Sequence, residues 1–231
     1  MKHCRLATAL ASSALLLVAA PLLAQSLNID LGTVEVAPSS TYGAAAGQAG
    51  TWSKLGLGTT PGLPNLSGTA TSVSATVSAD TSGGYSNDCT GDLGHLINDN
   101  IYTLQGTWTV ALSGLAPGTY TVYLYGPTNT SVVTGNMMVN GVAVAGVTAH
   151  ACALTAGQTY TTATATVSGG TLTLSGDPTG TGFAYAGLAG LQLVLGQPVE
   201  PIPAASPAAL LLLAVLIAGA GFALLRRRFD V

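Results

Sequence analysis

The chain has 231 residues, of which 48 % are hydrophobic and only 6 % are charged, and its formal net charge is −3; an ordinary soluble domain carries about 25 % charged residues. Between residues 25 and 197 the sole basic side chain is Lys54, against the acids Asp30, Glu35, Asp80, Asp88, Asp92, Asp99 and Asp177. This excludes a typical cytosolic surface, and it excludes a nucleic-acid partner, because such a domain repels a phosphate backbone.

Residues 1–24 read as a secretory signal peptide. Lys2 and Arg5 form its positive end, Leu6 to Leu23 its apolar stretch, and Ala24 a small cleavage residue, with Ala20 as the alternative. Export through the Sec machinery follows. Cys4 leaves with this segment, so Cys89 and Cys152 remain in a chain sent to an oxidising compartment. A single disulfide is the simplest reading, and two buried thiols are the alternative.

Residues 25–197 are long enough for one domain with its own core. Leu27 to Leu31 alternates as a strand. Trp52, Leu55 and Leu57 read as core contacts. Thr69 to Ala79 places Val73, Ala75 and Val77 on one face of a strand. Asp80 to Asn100 breaks the alternation and reads as a loop. From Gly106 to Gly126, Trp108, Val110 and Leu112 share one strand face, Leu115-Ala116-Pro117-Gly118 turns the chain, and Tyr120, Val122 and Leu124 share a face of the return strand. Asn140-Gly141 suits the positive φ angles of a second hairpin, Gly169-Gly170 those of a third, and Leu191 to Leu195 is the last strand. Between the terminal apolar segments no stretch of useful length has helical period, so the fold class is all-β, a sandwich.

The acid-rich stretch supplies hard oxygens of the kind calcium takes. Asp88, Asp92 and Asp99 are therefore a candidate site for a structural calcium ion, with Asn87 and Asn100 nearby. The spacing is not that of an EF-hand, and a solvated acidic loop is the plainer alternative. His95 and His150 are too few for zinc and read as surface or satisfied histidines. No Gly-x-Ser-x-Gly pattern and no carboxylate pair stand out, so the chain is read as a non-enzyme. An envelope hydrolase is the third reading, after a binding module and a structural matrix component. Tyr123 and Tyr125 lie on the opposite strand face from Tyr120, Val122 and Leu124. Exposed, that face would stack its two rings on a sugar; covered by loops, it would be a second packing surface.

Residues 198–206 form a Pro-rich, extended linker. Residues 207–225 are uncharged and apolar, about 28 Å long as a helix, which matches a membrane's hydrocarbon core. Residues 226–231 begin with Arg226, Arg227 and Arg228, a stop that favours the cytoplasmic side and leaves the domain outside. This tail resembles the C-terminal sorting signals of the PEP-CTERM and IPTL-CTERM type. Val199, Glu200 and Pro201 stand where Pro-Glu-Pro would be, and Ile202-Pro203 resembles the start of the other subtype. The resemblance implies an exosortase-like protease as partner, and either anchoring in the membrane or release to the cell surface or matrix.

A second resemblance lies in the domain. Ser113-Gly114-Leu115-Ala116-Pro117-Gly118-Thr119-Tyr120, Val139-Asn140-Gly141, Gly170-Thr171-Leu172-Thr173-Leu174 and Gly187-Leu188-Ala189-Gly190-Leu191-Gln192-Leu193 look like the galactose-binding-like jelly rolls. This implies a jelly-roll β-sandwich with an extracellular polysaccharide as partner, and it assigns no ligand residues.

Overall fold

A computed structural model describes residues 25–85, 88–129, 131–147 and 151–196. In chain order its elements are β1 (Leu27–Leu31), β2 (Trp52–Leu55), β3 (Gly58–Thr60), β4 (Ser74–Ser78), β5 (Thr81–Tyr85), the helix α1 (Gly91–Ile97), β6 (Asp99–Thr103), β7 (Trp108–Ser113) and β8 (Gly118–Tyr125). Then follow β9 (Val132–Val133), β10 (Met137–Val139), β11 (Val142–Val144), β12 (Tyr160–Val167), β13 (Leu172–Gly176), β14 (Tyr185–Leu188) and β15 (Gly190–Leu195). The expected signal peptide 1–24, the expected linker 198–206 with Val199 to Pro203, the apolar stretch 207–225, Arg226 to Arg228, and also Asn87 and His150, lie outside the described residues. Among the described residues no helix is long and apolar enough to cross a membrane.

The all-β expectation holds. A five-stranded sheet runs β12-β8-β15-β1-β2, and a six-stranded sheet runs β11-β10-β13-β7-β4-β3. The first is antiparallel except for the β1–β2 pair. Alternation explains why they stack. Leu27, Ile29, Leu31, Tyr120, Val122, Leu124, Leu191 and Leu193 of one sheet meet Val77, Trp108, Val110, Leu112, Leu172 and Leu174 of the other in a single core. Each fully buried aliphatic side chain contributes about 1.5–3 kcal/mol. A four-stranded sheet, β5-β6-β14-β9, adds Ile101, Ala186 and Leu188 to that core. Between β14 and β15 stands only Ala189, so one run of chain serves two sheets.

Two expected hairpins are not hairpins. β7 and β8 lie in different sheets, as do β12 and β13. The apolar faces of β7 and β8 both enter the same core, so the strands must oppose one another across it rather than pair edge to edge. The Tyr120 hydroxyl donates to the Ala116 carbonyl at 2.9 Å and fixes the first corner. The Leu115 N–H donates to the Gly170 carbonyl at 3.0 Å and ties the two corners together. Asn140-Gly141 does close a hairpin, β10 with β11, with φ of 49° and 76° at its two turn residues.

Two smaller expectations fail. Leu57 is 45 % exposed, unlike Trp52 and Leu55, which are buried. The stretch Asp80 to Asn100 is no plain loop: it holds β5, α1 and the start of β6. A helix of 7 residues is too short for its period to be read.

Candidate functional site

The outer face of the five-stranded sheet carries the sequence's aromatic candidates, and it is covered. Register puts Trp52, Asn28, Gln192 and Tyr123 in one cross-strand row, and Lys54, Asp30, Gly190, Tyr125 and Tyr160 in the next. Tyr125 is fully buried and Tyr123 is half-buried. Both pack on Tyr160, with ring centroids 6.1 Å away in each case. Tyr125 is therefore no exposed stacking ring, which corrects the open-face reading. Its hydroxyl donates to Gln192 Oε1 and accepts the Ala45 N–H at 2.9 Å. Burial pushes that hydroxyl's pKa up.

Three pieces make the cover. The segment after Pro38 lies on Trp52: Tyr42 stacks on its ring, and the indole N–H donates to the Tyr42 carbonyl at 3.0 Å. Burial and the Asp92 charge push the Tyr42 hydroxyl up to about 12. Gln48 Nε2 donates to Asn28 Oδ1 at 2.9 Å, and Gln192 Nε2 donates to the same oxygen at 2.8 Å. α1 contributes Leu93, Leu96 and Ile97, and Leu154 comes from the segment before β12. Leu96 can approach because Gly190 has no side chain; a Cβ there would lie 2.6 Å from Leu96 Cδ1. The expected disulfide joins the two outer pieces, with Cys89 and Cys152 Cα atoms 5.3 Å apart. Asn98 holds Cys89 from both sides of its backbone, at 3.1 and 2.8 Å.

The proposed calcium trio is not assembled. Asp88 is exposed. Asp92 accepts the Ser39 N–H and hydroxyl, both at 2.7 Å, and these bonds hold its pKa below the usual carboxylate range. Asp99 is fully buried, and its Oδ2 accepts the Val34 and Glu35 N–H groups at 2.8 and 3.0 Å. Asp92 and Asp99 both accept from the segment between β1 and β2, at Ser39 and at Val34 and Glu35, and among the described residues no three His, Cys, Asp or Glu side chains are gathered to hold a metal ion. His95 Nδ1 stands 3.8 Å from Asp92, a loose pair on the helix surface.

A second ring pair lies elsewhere. Tyr102 and Tyr185, half-buried like Tyr123, lie on the four-stranded sheet, edge to face, with centroids 5.4 Å apart. They share the face opposite to Ile101 and Ala186, which point into the core. Leu104, 46 % exposed, follows Tyr102 by two residues. Phe183, two residues before Tyr185, lines a cavity of about 250 Å³ with Val133, Val147 and Thr181. Sequence reasoning missed these rings because Asp99 and Asn100, buried but polar, hide the strand they belong to. The signal was Ile101 alone, whose inward side implies an outward Tyr102.

No known protein family and no curated protein sequence matches the chain. Three solved structures are similar to it: a plant receptor-like kinase FER (12 % identity, TM-score 0.40, 76 % of this chain and 43 % of that one), a plant receptor-like kinase ANX2 (17 %, 0.41, 75 % and 48 %) and the ANX2 ectodomain from Arabidopsis thaliana (16 %, 0.41, 75 % and 50 %). The chain spans half or less of the length of these structures.

Proposed function

We propose that this is an exported, non-catalytic surface protein whose β-sandwich, jelly-roll-like in topology, binds an extracellular polysaccharide through Tyr102 and Tyr185. The observation that carries the reading is the edge-to-face tyrosine pair on the outer side of the four-stranded sheet. Aromatic rings on an outward sheet face suit the C–H face of a sugar ring. Export is supported by the disulfide, a bond that persists in oxidising compartments. In this reading the signal segment 1–24 passes through Sec, the apolar stretch 207–225 anchors the chain with Arg226 to Arg228 inside, and an exosortase-like protease acts at Val199 to Pro203.

The test is binding of the full chain, purified in detergent, to the source cell's own polysaccharides. Loss of one stacking ring is worth about 1 kcal/mol, so Tyr102→Ala and Tyr185→Ala each weaken binding roughly fivefold, whereas Tyr123→Ala leaves it unchanged. Absence of binding by the unmodified chain overturns the carbohydrate reading. The alternative is then a structural matrix component, which one observation favours: β11 is a sheet edge, and its Val142 is 68 % exposed. An uncovered apolar edge is a template for self-association, read as a concentration-dependent rise in mass.

A further inference from the structure

Asp30 has no counterpart to the donors that satisfy Asp80, Asp92 and Asp177. Its side chain is 0 % exposed, and neither carboxyl oxygen has a hydrogen-bond partner. Asp99 is equally enclosed, and its Oδ1 is unpartnered too. The two groups are neighbours. The Asp99 carboxyl fills the space over Gly32, where a Cβ would lie 2.4 Å from it, and Gly32 follows Asp30 by two residues. Three carboxyl oxygens thus stand inside the protein with no donor among the described residues.

A buried carboxylate is not tolerated alone; it is protonated or it meets a cation. Lys54 is the register partner of Asp30 across β1 and β2. Its side chain is exposed, however, and among the described residues no ion pair joins the two. One shared proton would bridge a single pair of oxygens and leave the third bare. A metal ion between the two groups would give all three a partner, and hard carboxyl oxygens select a hard divalent ion.

We propose that Asp30 and Asp99 bind one calcium ion, with backbone carbonyls and water completing its shell. Asp99 holds the N–H groups of Val34 and Glu35 through Oδ2 and offers Oδ1 to the ion. The ion therefore ties β1 and β6 to the start of the segment that covers the outer sheet face. This site is separate from the tyrosine pair and does not depend on the carbohydrate reading.

The test uses the full chain in detergent, stripped with a chelator and titrated with calcium chloride. One saturable equivalent of calcium is expected, with a Tm rise of roughly 5–10 °C at a hundredfold excess over Kd. Asp30→Asn and Asp99→Asn abolish both responses, and Asp88→Asn keeps them. Should the two buried variants fail to fold, the unmodified chain still decides. If it takes up no calcium and its Tm stays unmoved at millimolar calcium, the proposal is overturned and Asp30 is a buried neutral acid. Uptake that survives in a folded Asp30→Asn variant overturns it as well.

Discussion

The two faces of the five-stranded sheet are built on opposite plans. The inner face is aliphatic, and Ile29, Leu31, Val122, Leu191 and Leu193 are at 0 % exposure without any directional bond from their side chains. The outer face is just as closed at Asn28, Tyr125 and Gln192, but it is closed by hydrogen bonds, an α-helical turn and a disulfide. Apolar packing is non-directional and tolerates reshaping. A buried polar layer depends on every partner being in place. The inner face should therefore govern global stability, and the outer face the order of its cover.

The largest effects lie on the inner face. Leu191→Ala and Leu124→Ala each should cost about 2–5 kcal/mol in denaturant unfolding, with a cooperative transition kept. Reducing the Cys89–Cys152 bond, which closes a span of 63 residues, should cost roughly 2–5 kcal/mol. That loss differs in kind: amide exchange should rise first in residues 37–50 and 151–158, while β1 and β15 stay protected. Equal deprotection of both faces would break the comparison. Gln192→Ala removes the partner of the Tyr125 hydroxyl, the Ala46 N–H and Asn28 Oδ1, and should cost about 1–3 kcal/mol.

The smallest effects are in pH. In chelator, burial and then the Asp99 charge raise the Asp30 pKa well above its usual value. The stability from burying it neutral is complete below its unfolded pKa and is lost as pH rises through the folded one. Melting curves in chelator should therefore weaken toward alkaline pH, and calcium should reverse that slope. Asp80, Asp92 and Asp177 run the other way. Their hydrogen bonds lower their pKa values, so their contribution is present above the unfolded pKa and fades as pH falls through the folded one. These groups lie at the surface, and the acid limb should be shallow.

Period-2 alternation makes the inner face legible from the amino-acid order alone. Val73, Ala75 and Val77, like Tyr120, Val122 and Leu124, land where the pattern puts them, and the disulfide follows from compartment and count. Alternation cannot tell whether two neighbouring strands pair or oppose each other, because both arrangements put the same residues inward. That is why β7–β8 and β12–β13 read as hairpins. Nor can it show that a polar face is covered. Asn28 and Gln192 look like solvent-facing residues until Gln48, far away in sequence, is placed between them. Nearness in sequence groups Asp99 with Asp88 and Asp92, whereas in the fold its neighbour is Asp30, on the domain's first strand. Glycines such as Gly32 and Gly190 mark the close approaches, but nothing in the sequence names the approaching group.

The position of β15 has a mechanical consequence. It lies inside its sheet, antiparallel to β8 on one side and β1 on the other, with Leu193 opposite both Val122 and Leu27. A pull on its C-terminal end runs along the strand axis, so the two ladders resist in shear and their bonds must yield together instead of unzipping one by one. A chain tethered at that end would hand its load to the strand best placed to carry it.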